Sequence, residues 1–174
     1  IVGQDPHDLS LRVNGRSDLQ YSVTRGMCVI PRDESWAEGF YEAYIDQCTV
    51  GPVAAGDPSN PRIDVVWIRA NDLTFNDRPE GTDSDGQPLP PTNRVEVGVT
   101  QGTPAASPTE PAIPDRAWRL GAMLMPAGAT STASATQYGN IDYAMPYGAE
   151  MGIIARVAEN KDLQASSNPP YKNP

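Results

Sequence analysis

Few of the residues that build reactive centres are present in this chain of 174 residues. Histidine occurs once, as His7, and cysteine twice, as Cys28 and Cys48. With one histidine there is no H-E-x-x-H helix, and neither a G-x-S-x-G elbow nor a phosphate-cradling G-x-x-x-x-G-K-[ST] loop occurs. Nucleophilic triads, zincin-type hydrolysis and P-loop chemistry therefore have no local signature. Two cysteines twenty positions apart cannot supply a four-ligand zinc site, and His7 is too far along the chain to complete one. Basic residues are also scarce: 13 Lys and Arg against 22 Asp and Glu leave a formal charge of -9. That charge repels both a phosphate backbone and an anionic membrane surface, so nucleic acid is not an expected partner. No apolar run approaches the roughly 18 residues of a membrane-spanning helix, so membrane insertion is not expected either. Because the chain opens on Ile1, at least an initiator methionine is expected to have been removed or left out. The lack of a basic-then-apolar leader therefore carries little weight.

What is abundant is punctuation. Fifteen Gly and 18 Pro, with only 39% hydrophobic residues, favour many short elements over a few long ones. Leu9-Ser10-Leu11-Arg12-Val13 and Leu19 to Val23 both alternate apolar and polar residues, and Asn14-Gly15 between them reads as a hairpin turn. Met27 to Ile30, stopped by Pro31, the stretch Phe40 to Ile45, and Thr49-Val50 read as further strands. Ile63 to Ala70 is the most apolar run and rich in β-branched residues, which predicts a central strand covered on both faces. Val95 to Thr100 alternates again. Trp118 to Met125 and Met151 to Val157 are strands or short helices, since Leu, Met and Ala also favour helix. The expected fold is all-β, an antiparallel β-sandwich or barrel-like domain with long Pro- and Gly-rich loops.

Two interruptions organise this pattern. Asn71 to Asn93 has the Asp, Asn, Pro and Gly content of an exposed loop or ragged hairpin and is a candidate contact region. Thr103 to Pro114 carries Pro104, Pro108, Pro111 and Pro114, which keep it extended and predict a connector running over the sheet. Residues 1–165 are expected to form one β-rich module, with 1–25 as an optional N-terminal docking hairpin. Residues 166–174 read as an extended tail or linker.

Within the module, Pro61 forces Asn60 out of the helical region and feeds the strand that follows. Arg62 and Asp64 share a face at i and i+2, where they are expected to form structural ion pairs across the sheet or bonds to a loop carbonyl. Thr82-Asp83-Ser84-Asp85-Gly86 has the D-x-D-G start of a calcium loop. Gln87, Pro88 and Pro90 follow, and no Glu stands at the twelfth loop position, which excludes an EF-hand. Asp83 and Asp85 remain candidates for a looser calcium site, against the alternative of a solvated turn. Aromatics cluster twice: Trp36, Phe40, Tyr41 and Tyr44, then Tyr138, Tyr143 and Tyr147. Exposed rings stack on sugar faces or fill protein interfaces, which makes Trp36, Tyr41, Tyr44, Tyr143 and Tyr147 the candidate contact residues, although core or rim packing is the alternative for each. Cys28 and Cys48 read either as half-buried small apolar groups or as a disulfide made in an oxidising setting.

Four segments follow one another along the chain: Asn60-Pro61-Arg62-Ile63-Asp64-Val65-Val66, then Gly102-Thr103-Pro104-Ala105-Ala106-Ser107-Pro108, then Pro111-Ala112-Ile113-Pro114, and Met125-Pro126-Ala127-Gly128-Ala129-Thr130-Ser131. In this order and spacing they resemble the minor tail proteins of bacteriophages that infect actinobacteria. The upstream Gly26-Met27-Cys28-Val29-Ile30-Pro31 belongs to the same pattern, which covers roughly residues 26–142. Trp118, Arg119 and Gly121 depart from the family's plainer small-apolar run, and the Asn71 to Asn93 insertion is long. The resemblance implies a non-enzymatic structural protein of the virion, a minor tail, baseplate or fibre component without a cofactor, assembled in the host cytoplasm. Its implied partners are other virion proteins and copies of itself, with a trimer among the options. Two alternatives stay open beside it: a receptor-binding module for host-surface glycan, suggested by the aromatics and the acidic loop, and a capsid decoration protein on the head exterior. Glycosidase chemistry needs only two carboxylates about 5 to 9 Å apart, and 22 acids do not exclude it; the missing motifs set the non-enzymatic expectation.

Overall fold

The computed structural model describes residues 11–32 and 39–139. All of them lie in the first of the two units into which the chain divides, Ile1–Asp142. Strand β6, Arg62–Ala70, is the centre of the fold, and each of its nine residues is buried. It pairs antiparallel with β7, Val95–Thr100, on one side and β8, Trp118–Met125, on the other. A short strand β9, Thr136–Tyr138, extends this sheet to the order β7-β6-β8-β9. A second sheet joins β1 (Val13–Gly15), β2 (Tyr21–Val23) and β5 (Cys48–Val50), with β2 in the middle. A two-stranded ribbon pairs β3, Gly26–Pro31, with β4, Phe40–Ile45. Among the described residues every ladder is antiparallel, as the alternation predicts, and no sheet closes into a barrel. Among the described residues no helix is long and apolar enough to cross a membrane.

The period-two geometry of β6 explains why it needs cover on both faces. Val66 packs with Tyr21, Val23, Val50, Met123 and Met125 beneath the second sheet, while Ile68 and Ala70 meet Ile30 and Ala43 of the ribbon. From the opposite face Ile63 and Val65 meet Ala122, and Ile113 of the Pro-rich connector lies against them. The connector thus covers the sheet, as its proline spacing predicts. Trp67 shares that second face, and its indole lies over Gly98, where an added Cβ would stand 2.2 Å from the ring. The indole Nε1–H donates to Thr100 Oγ1 at 3.0 Å, so the one polar atom of a buried ring is satisfied. Between Val66 and Trp67 the pairing with β8 shifts, passing over Leu120.

One open reading of the sequence is resolved and one changes. Trp118 to Met125 is a strand, the first of its two readings, because burial in the central sheet outweighs the helix preference of Leu, Met and Ala. The Asn14-Gly15 pair is not the hairpin turn: both residues belong to β1, opposite Ser22 and Tyr21. The chain reverses over Arg16 to Gln20, where Asp18 bonds both the Arg16 guanidinium and the Gln20 amide. Gly15 is required for another reason, since a Cβ there would meet the Thr132 carbonyl oxygen at 2.0 Å. Leu9, Ser10 and the Met151 to Val157 segment lie outside the described residues.

Candidate functional site

Two polar constellations stand out against this framework, one buried and one open. The buried one begins with Arg62 and Asp64, whose side chains leave the same face of β6 and pair at 2.8 Å with almost no exposure. Arg62 also donates to the Ala54 and Ala55 carbonyls at 2.6 and 2.8 Å, the loop-carbonyl bonding expected of it. Asp64 accepts the Tyr21 hydroxyl at 2.9 Å and the Gly102 amide at 3.3 Å. Burial, and then the Asp64 charge, push the Tyr21 hydroxyl well above its ordinary range, so it stays a protonated donor. Around the same node Ala105 N–H donates to Pro61 O at 3.0 Å, Gly56 N–H to Ala129 O at 2.7 Å, and Gly128 N–H to Asp57 O at 2.8 Å. Each polar group here has a partner within the protein, and the arrangement works as a fastener between distant segments.

The open constellation is a cleft with a volume of ≈ 560 Å³ between β4, the end of β6 and the start of β7. One wall is rigid. Asp72, just past β6, accepts the Tyr41 hydroxyl, the Arg32 Nε–H at 3.1 Å and the Thr74 amide at 2.7 Å. The Tyr41 bond is the chief reason that the Asp72 carboxyl lies far below the usual carboxylate range, with Thr74 and Arg32 adding to it against the cost of burial. Asp72 also caps the short 3-10 helix Leu73–Phe75, and its own amide donates to Asp77, which pairs with Arg116. The Arg32 and Arg116 guanidiniums both stack on the Phe75 ring, 5.6 and 4.4 Å from its centroid. The other side is less occupied. Asn93 uses its side-chain oxygen on the Leu73 amide, and Arg94 uses only its carbonyl, on the Asn71 amide. Asn71 lines the cleft with its side-chain NH₂ on Glu96 and its side-chain oxygen unpartnered.

Of the candidate contact residues, Tyr41 is in the cleft wall with its hydroxyl engaged, and Tyr44 is exposed on the outward face of the ribbon beside Met27. Trp36, Tyr143 and Tyr147 lie outside the described residues. Asp83 accepts the Asp85 and Gln87 amides, so its carboxylate caps a turn; Asp85 is exposed. No group of three metal-ligating side chains occurs among the described residues. Cys28 and Cys48 are free and half-buried, on strands of different sheets. Burial alone pushes the Cys28 thiol up to about 11 and raises Cys48 as well, which makes both poor nucleophiles. Sequence reading missed Arg32 and Arg94, and reached Asp72 and Asn93 only as members of the Asn71 to Asn93 contact region. They come from three separate stretches of chain, and no local pattern links them.

No family model, curated protein or solved structure matches this chain.

Proposed function

We propose that this chain is a non-enzymatic structural module of a bacteriophage particle, a minor tail, baseplate or fibre component that packs with other virion proteins and copies of itself and contributes to host attachment. The observation that carries the reading is where the segments that bear the resemblance go. Asn60 to Val66, Gly102 to Pro108 and Met125 to Ser131 are far apart in sequence, yet they converge on the Arg62–Asp64 node. There Gly102 bonds Asp64, Ala105 bonds Pro61, and Ala129 and Gly128 bond the Gly56-Asp57 loop. These motif groups are engaged inside the protein, which is the use expected of a scaffold signature and not of a catalytic one. In this reading the module is a β-sandwich, with the β1-β2-β5 sheet laid over the four-stranded sheet through Tyr21, Val23, Val66 and Met125.

The ribbon adds support. Met27 and Tyr44 are both 54% exposed and sit directly opposite each other on the ribbon. Clustered apolar exposure of this kind suits a surface that a neighbouring subunit covers. The test is to localise the chain on purified particles of the phage that encodes it, by antibody labelling and cryo-electron microscopy. Density at the tail supports the reading. Absence from the particle overturns it, and density on the head exterior replaces it with the capsid-decoration alternative.

A further inference from the structure

We infer that the cleft between β4 and the β6–β7 ends binds an uncharged pyranose saccharide. The inference deepens the host-attachment part of the proposed function by naming a site and a ligand class. Three features of the cleft point to that chemistry.

The first is an exposed ring beside unspent polar groups. Phe40 lines the cleft and is 44% exposed, so its ring offers an apolar surface to whatever enters. A pyranose presents the matching surface, a face of C–H groups ringed by hydroxyls. Glu42 and Arg94 also line the cleft and are exposed, and among the described residues no hydrogen bond or ion pair engages either side-chain charge. Asn93 keeps its side-chain NH₂ free, since only its oxygen is used. Carboxylate, guanidinium and amide together supply acceptors and donors in planar geometry, as vicinal hydroxyls require.

Charge is the second feature. Arg32 and Asp72 cancel each other across their 3.1 Å pair, and Glu42 and Arg94 are of opposite sign. Among the described lining residues an anionic ligand would find one unspent cation, and a cationic ligand one unspent carboxylate. Neutrality therefore favours a ligand recognised by hydroxyls.

The third is preorganisation. The Tyr41, Arg32 and Asp72 wall is cross-bonded, so little side-chain freedom remains to be lost on that side. Asn71 contributes a buried side-chain oxygen without a partner, an acceptor that a donor hydroxyl at the cleft boundary would satisfy. The volume of ≈ 560 Å³ lies inside the range of about 300–1,000 Å³ usual for small-molecule sites.

The experiment screens the full chain on an array of neutral and acidic pyranose oligosaccharides, then titrates the strongest neutral hit by calorimetry. Binding of a neutral oligosaccharide is expected, with about tenfold or greater loss of affinity in Phe40→Ala and in Arg94→Ala. Both side chains are exposed, and far-UV circular dichroism checks that the variants fold. Tyr138→Ala, an exposed aromatic on β9, should leave affinity unchanged. The site is overturned by retention of acidic sugars alone, by no retention at all, or by neutral-sugar binding that survives both cleft substitutions. The particle-localisation experiment is independent of this one. A chain found on the tail that binds no neutral sugar loses the site but keeps the structural reading, and a sugar-binding chain absent from the particle does the reverse.

Discussion

At the scale of single residues, the largest stakes lie in buried charge. Arg62 and Asp64 have almost no exposure, so each depends on the other and on the carbonyls and hydroxyl around them. Removing one member strands the other in a low-dielectric setting, and Asp64→Ala should destabilise the fold by about 3–5 kcal/mol. Tyr21→Phe deletes one donor while Arg62 still serves Asp64, so its cost should be nearer about 1 kcal/mol. Urea denaturation of the two variants checks the ranking, and equal costs would contradict it. Asp72 gives a pH-dependent counterpart. Its folded-state affinity for protons is lowered, so the unfolded chain binds the proton more readily. The stability it contributes is present above the ordinary carboxylate range and is lost as acid titrates it in the folded state. Thermal melts between about pH 6 and pH 2 should show a shallower acid decline in Asp72→Asn than in the parent protein. A parallel decline in both would remove Asp72 from the explanation.

At the scale of elements, glycine and cysteine show how strand contacts decide roles that composition leaves open. Gly15 lies within β1, and its backbone runs against the Thr132 carbonyl. Gly15→Ala should therefore cost about 1–3 kcal/mol through overpacking, measurable as a lower urea midpoint. A neutral result would show that the Thr132 carbonyl moves aside and that Gly15 is not required there. The two thiols lie on β3 and β5, which do not pair with each other: Cys28 faces Ala43 and Cys48 faces Val23 in their ladders. Replacing both with Ala should cost only the packing of two small groups, about 1 to 2 kcal/mol in total, and folding should persist in reducing buffer. Loss of folding in that double variant would show that the thiols do more than fill space.

At the scale of the whole molecule, the main core draws on all three sheets. Tyr21 and Val50 come from one, Val66 and Met123 from another, and Cys28 and Ile45 of the ribbon pack against them. Such shared burial makes the sheets interdependent, so the described part should unfold in a single cooperative step. Tryptophan fluorescence, with Trp67 buried at the centre, and far-UV circular dichroism should give coincident urea transitions. Separated transitions would mean that the ribbon or the second sheet melts by itself.

The chain's own residue pattern determined the strands and the centre. Alternation located β2 and β7, short apolar stretches located β3, β4, β5 and β8, and the β-branched run Ile63 to Ala70 identified β6, because burial on both faces demands an unbroken apolar stretch. Arg62 and Asp64 were legible as charges on one face because i and i+2 share a face in any strand, but that they pair with each other and not across the sheet came from the structure. Tertiary structure alone decided which strands share a sheet, where β1 turns, and what gathers at the cleft. The turn was misread because Gly15 answers to Thr132, more than a hundred residues away, and short-range turn chemistry cannot register that contact. The cleft was invisible for the same reason. Arg32, Tyr41, Asp72 and Arg94 become neighbours only when the ribbon docks on β6, and their chemistry depends on distances that no spacing along the chain encodes.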